Sequence, residues 1–113
     1  MSTEHRIEIQ EISPVAFAVP GIRKVCQHDT VYFKNSTTGT IKIRVASDEA
    51  LEELKEKDVE KVHTGKESKR FTVIAKSGTY EFSVHYSYWD KRKKRRRTGF
   101  AIGASSPKII IVR

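Results

Sequence analysis

The residues best equipped for chemistry lie late in the chain. Tyr86, Tyr88 and Trp89 run into seven consecutive cations, Lys91, Arg92, Lys93, Lys94, Arg95, Arg96 and Arg97, and Phe100 follows. Cations that neutralise phosphates release counterions, while aromatic faces stack on unpaired bases, and single-strand and RNA-binding surfaces combine the two. Arginine's planar fork also binds two phosphate oxygens at once. The net charge is +8, and this run supplies seven of those charges, which leaves +1 for the rest of the chain. A nearly neutral body with one cationic projection points to a directed contact rather than diffuse steering. The expected site is therefore a solvated basic loop at 90–99, with Tyr88 and Trp89 beside it. The expected partner is nucleic acid, held by phosphate contacts with little base readout. An acidic protein or an anionic membrane surface would meet the same charges, and a solvated hairpin tip needs no specific partner.

Other chemistry is thinly represented. The four histidines, His5, His28, His63 and His85, read most plainly as surface residues of a β protein. The single cysteine, Cys26, excludes an intramolecular disulfide and is expected to be a small packed side chain. No serine sits in a Gly-x-Ser-x-Gly elbow, and Gly99 to Gly103 precedes no helix pattern. The acids Glu49, Glu52, Glu53, Glu56 and Asp58, interspersed with Lys55 and Lys57, read as a solvated face. The expectation is a non-enzymatic chain with no cofactor and no metal.

Around these residues the pattern is that of β-strands. Phe71, Val73 and Ala75 alternate with polar or outward residues, and so do Tyr80, Phe82, Val84 and Tyr86, the period of two of half-buried strands. Ser77-Gly78 between them predicts a hairpin turn. Ile7 and Ile9 predict a first strand. Val15–Val19 is an apolar stretch turned by Pro20-Gly21; strands at Ile22–Val25, Val31–Phe33, Ile41–Val45 and, briefly, Val59–Val62 follow, and Ile109–Val112 closes the chain. Ser47 or Asp48 would cap a short helix over 49–55, with Leu51 and Leu54 on one face. Seven or eight short strands, turns every eight to twelve residues and one short helix predict an all-β, antiparallel Greek-key sandwich, a single domain over 1–113. The first or the Val59 strand would be a free edge, which leaves dimerisation open. There is no apolar run of about 18 residues and no leader pattern in the polar Met1–Arg6 stretch. That favours a cytoplasmic protein, and a periplasmic mature form with its leader removed would read the same way.

Three pieces in order resemble the cupredoxin family of small blue copper proteins. His28-Asp29-Thr30-Val31-Tyr32-Phe33-Lys34-Asn35 is similar to that family's Gly-Asp-Thr-Val strand start and Phe-x-Asn exit, with His28 where glycine is usual. Gly65-Lys66-Glu67-Ser68 before Phe71-Thr72-Val73 resembles its glycine-led turn, and Ser77-Gly78-Thr79-Tyr80-Glu81-Phe82 its Gly-Thr-Tyr-x-Phe strand. The resemblance covers Ile22 to Val112 and implies that sandwich, but not its copper. The family's ligand histidine falls on Ile41, its ligand cysteine on Val84, and the only methionine is Met1. Blue copper needs a thiolate and two imidazoles, so the resemblance implies a copperless domain with hydrocarbon in the old metal cavity. The resemblance also implies that His63 and His85 fall toward the end of the sandwich where that family binds copper, where a carboxylate such as Asp90 would complete a weak two-histidine metal site. A protein-interaction or structural domain, or a metal-binding or electron-transfer form with displaced ligands, are the alternatives.

Overall fold

The computed structural model describes residues 2–12, 15–90, 94–100 and 108–112. Its strands are, in chain order, β1 (Glu4–Ile12), β2 (Val15–Val19), β3 (Ile22–Cys26), β4 (Thr30–Asn35), β5 (Thr40–Val45), β6 (Glu60–Val62), β7 (Phe71–Thr72), β8 (Gly78–Asp90), β9 (Arg95–Phe100) and β10 (Lys108–Val112). They form a four-stranded sheet ordered β2-β1-β4-β7 and a six-stranded sheet ordered β3-β10-β8-β5-β6, in which β9 also pairs with β8. Alternation along each strand fills the space between the sheets. Ile7, Ile9, Ala16, Ala18, Val31, Phe33 and Phe71 come from one side, and Val25, Ile41, Ile43, Val45, Phe82, Val84, Tyr86, Ile109 and Ile111 from the other. The Phe33 ring sits at the centre, 5.2 Å from Phe82 edge-on and 6.3 Å from Phe71. Burying an aromatic of this size contributes about 1.5–3 kcal/mol.

Several expectations need correcting. The sheets are mixed, not wholly antiparallel: β1 runs parallel to β4 with Ile7 beside Phe33, and β10 runs parallel to β3 with Ile111 beside Val25. The described strands number ten rather than seven or eight, because the apolar stretch Val15–Val19 is itself a strand, β2, and β9 lies within the basic segment. The Phe71 and Tyr80 runs form no hairpin. Phe71 and Thr72 pair with β4, whereas Gly78–Glu81 pair with β10, so the chain crosses between sheets at 73–77. Gly78 still has the positive φ (130°) expected of it, and a Cβ there would lie 3.0 Å from the Tyr80 ring. β1 is internal to its sheet, while β6 is an edge as expected.

The helix over 49–55 is absent too. Its backbone bonds go sideways instead: the Glu52 amide donates to the Thr72 carbonyl, the Ile74 amide to the Ala50 carbonyl, and Leu51 bridges Val73. A helix of two turns has no nucleation advantage to set against strand partners already in place. Leu51 and Leu54 are nonetheless buried, as their spacing suggested. Among the described residues no helix is long and apolar enough to cross a membrane.

Candidate functional site

The thirteen-residue strand β8 is shared out along its length. β10 pairs with Gly78–Glu81, β5 with Phe82–Ser87, and β9 with His85–Asp90. Since β5 stops opposite Ser87, the last three pairs of β8 and β9 continue past it as a two-stranded ribbon. There Tyr88 stands opposite Arg97, Trp89 opposite Arg96 and Asp90 opposite Arg95 in register. At ~3.4 Å per residue, three pairs carry the ribbon ~10 Å beyond β5. Lys94 is exposed and takes a left-handed φ of 50° just before the return strand. The expected loop at 90–99 is thus mostly a strand and its turn. An edge strand satisfies its backbone against one neighbour and need not be buried, so a run of arginines can occupy it. Lys91, Arg92 and Lys93 lie outside the described residues.

A polar knot braces the ribbon's base. Asn35 is fully buried. Its Nδ2 donates to the carbonyls of Gly39 and Val62 at 2.9 Å, and its Oδ1 accepts from the Thr37 amide at 2.9 Å and the Thr37 hydroxyl at 2.6 Å. The Thr64 hydroxyl donates to the Thr37 carbonyl. A Cβ on Gly39 would collide with the Ser87 carbonyl oxygen and lie 2.8 Å from Tyr86 Cε2, so only glycine lets this turn close on β8 where the ribbon begins. From the other sheet, the Glu11 carboxylate accepts from the Tyr86 hydroxyl and from the Thr38 amide at 2.6 Å. Burial would raise the Glu11 pKa, and these bonds bring it below the usual carboxylate value.

The six-stranded sheet's outer face adds cations that strand patterning placed in water but could not place together. Lys42 lies between Lys61 on β6 and His85 on β8, and Arg44 lies opposite Ser83. Lys42, Arg44 and Lys61 are exposed. Lys24 and Lys108 lie on the same face, nearer the start of β8, where Lys108 stands opposite Glu81. The outer face of the four-stranded sheet is balanced instead. The Arg70 guanidinium lies 3.8 Å over the Tyr32 ring and pairs with Glu4 at 3.3 Å and Glu67 at 3.1 Å. Glu8, in register with Lys34, accepts from the Ser36 hydroxyl and from Gln10, and the Ser36 bond is the chief reason its pKa is lowered.

The end of the sandwich away from the ribbon is organised by Asp29. Its carboxylate, 5% exposed, accepts from the Thr3 and Cys26 amides at 2.9 Å and bonds His5 Nε2 at 2.7 Å. Burial opposes ionisation, but the two amides and the imidazole outweigh it and bring the pKa down to about 2. Cys26 is exposed rather than packed, because Val25 is the inward residue of β3. With Gln27, His28, Lys76 and Val112 it lines a shallow 440 Å³ depression.

Ile41 and Val84 are core residues, 0% and 1% exposed. His63 is exposed and His85 half-buried, and among the described residues no three His, Cys, Asp or Glu side chains gather closely enough to hold a metal ion. Of the expected site, the register brings Tyr88 and Trp89 beside Arg96 and Arg97. Lys42, Arg44 and Lys61 were missed as a group, and the available signal was the Lys42, Arg44 alternation on β5. Neither the protein-family models nor the curated proteins searched contain a match to this chain.

Proposed function

We propose that this chain is a non-enzymatic binding module, a copperless cupredoxin-like sandwich with Greek-key connections, that presents its basic ribbon to nucleic acid. The observation that carries the reading is the ribbon itself: a cationic run on a hairpin that outruns β5, on a body of nearly neutral charge. The copperless part is supported by Ile41 and Val84, buried hydrocarbon at the two positions where that family places a histidine and a cysteine ligand. The cupredoxin-like part is supported by His28, which takes φ 74° where the family has glycine, a left-handed backbone that glycine adopts without cost. Phosphate contacts dominate, so binding is steep in salt and weak in sequence preference.

The test is fluorescence anisotropy of labelled DNA and RNA across a salt series, with the parent and with 91–97 changed to glutamine. Seven phosphate contacts on a duplex give a slope of log affinity against log salt of about −6, and the glutamine variant loses most of it. A variant that binds both polymers as tightly as the parent would refute the reading and return the module to the protein-interaction class.

A further inference from the structure

We infer that the partner is duplex DNA, with the β8–β9 ribbon in its major groove and Lys42, Arg44 and Lys61 of the six-stranded sheet on the flanking phosphates. The inference rests on the nucleic-acid reading above and names the polymer, the groove and three further binding residues.

Three observations carry it. First, the ribbon has the right dimensions. A two-stranded β-ribbon enters the B-form major groove, about 12 Å wide and about 8.5 Å deep, and the ribbon's ~10 Å reach past β5 spans that depth. The deep, narrow major groove of A-form RNA excludes it. Second, the ribbon is continuous with a cationic face. Lys42 stands directly opposite Lys61, an arrangement that costs folding energy, and Arg44 follows Lys42 on the same side of β5. With the ribbon in the groove, these side chains are the ones carried over the backbone at its rim.

Third, the far end repels phosphate. The 48–58 segment holds six of the fourteen acids and only Lys55 and Lys57 against them. It is bound to Thr72 and Ile74, at the end of the sandwich away from the ribbon. The charge distribution therefore presents the ribbon end to the duplex and turns the acidic end away.

The test titrates the parent with a 20-base-pair DNA duplex (~20 pairs, two helical turns), the matching single strand and an RNA duplex of the same sequence. It adds two variants, Lys42→Gln/Arg44→Gln/Lys61→Gln and, on the other sheet, Arg6→Gln/Lys34→Gln. The expected result is at least about tenfold preference for the DNA duplex. The triple variant should have a salt slope shallower by about 2.7 and, at 0.1 M salt, affinity lower on the order of a hundredfold. The double variant matches the parent. A triple variant that binds DNA like the parent, while the 91–97 variant does not, overturns the face assignment and leaves the ribbon reading standing. Equal or tighter binding of the single strand or the RNA duplex overturns the duplex DNA assignment. A parent that binds none of the three removes the nucleic-acid reading and this inference with it. Should the triple variant melt early, Lys42→Gln alone carries the test, with an expected slope change of about 0.9.

Discussion

The two outer faces of this sandwich handle charge in opposite ways. On the four-stranded sheet, opposites have found each other: Arg70 lies on Tyr32 between Glu4 and Glu67, and Glu8 is satisfied by Ser36 and Gln10. On the six-stranded sheet Lys108 faces Glu81 near the start of β8, but toward the ribbon Lys42 faces Lys61 across the ladder and Arg44 faces Ser83. Both faces cover one core, and a like-charge rung does nothing to stabilise it. An acid opposite Lys42 would serve stability better, by roughly 0.2–1 kcal/mol. The unpaired arrangement is what a surface looks like when its counter-charge comes from outside. It adjoins the ribbon that carries Arg95–Arg97, and the balanced face does not.

The comparison can be broken at three points besides the binding tests above. The largest effect is expected at Gly39→Val. A side chain there meets the Ser87 carbonyl and the Tyr86 ring, so stability should fall by about 3 kcal/mol, the upper range of overpacking. Because the collision lies at the ribbon's base, DNA affinity should fall with it, although no charge has changed. Denaturant unfolding and anisotropy on one preparation check both. Normal affinity in a destabilised Gly39→Val chain would mean that the ribbon does not need its base.

Asp29 tests the opposite end. Its folded pKa, about 2, lies below the ordinary value of 3.8, so its contribution is complete above about pH 4 and is lost as pH falls from there toward 2. The shift corresponds to on the order of 2 kcal/mol. Asp29→Asn should lower stability at pH 7 by a similar amount and flatten the acid limb of the stability profile, followed by chemical denaturation from pH 7 to pH 2. DNA affinity at pH 7 should not change, because this end faces away from the duplex. A variant with the parent's acid limb would show that the two amides and His5 do not hold the carboxylate as described.

The smallest effect, and the most diagnostic in sign, is expected at Lys42→Glu. It replaces a like-charge rung with an attractive one, which should raise stability by about 0.2–1 kcal/mol while weakening DNA binding. A melting temperature and a salt series on the same variant separate the two. Loss of both stability and affinity would point to an ordinary packing role for Lys42.

How much of this could be read from the chain alone follows from what alternation encodes. Parity told inside from outside for Ile7, Ile9, Ile41, Ile43, Phe71 and Phe82, and each is buried. It could not tell which sheet a strand joins. Phe71 and Phe82 are each the inward residue of their run and share a core, yet they come from opposite sheets, which is why the hairpin expected between them does not exist. The parallel pairs were hidden for a related reason: Ile111 lies beside Val25 from the other end of the chain, and nothing local records the neighbour. The 49–55 segment has helix-forming composition, but its amides and carbonyls found Thr72 and Ile74 first. Lys42 and Arg44 were legible as wet residues of β5, whereas Lys61 joins them only through the β5–β6 ladder. The basic run was evident from composition, and its strand character from Arg95 onward was not, since charge repulsion argued for a loop while backbone pairing with β8 decided for a strand.

The most direct measurement is amide chemical-shift mapping of the parent chain with a short DNA duplex added stepwise. The account predicts shifts concentrated at Lys42, Arg44, Lys61 and Lys94–Arg97, with Arg6, Tyr32 and Lys34 unmoved. Shifts on the Arg6, Tyr32 and Lys34 face, or spread evenly over both faces, would contradict it.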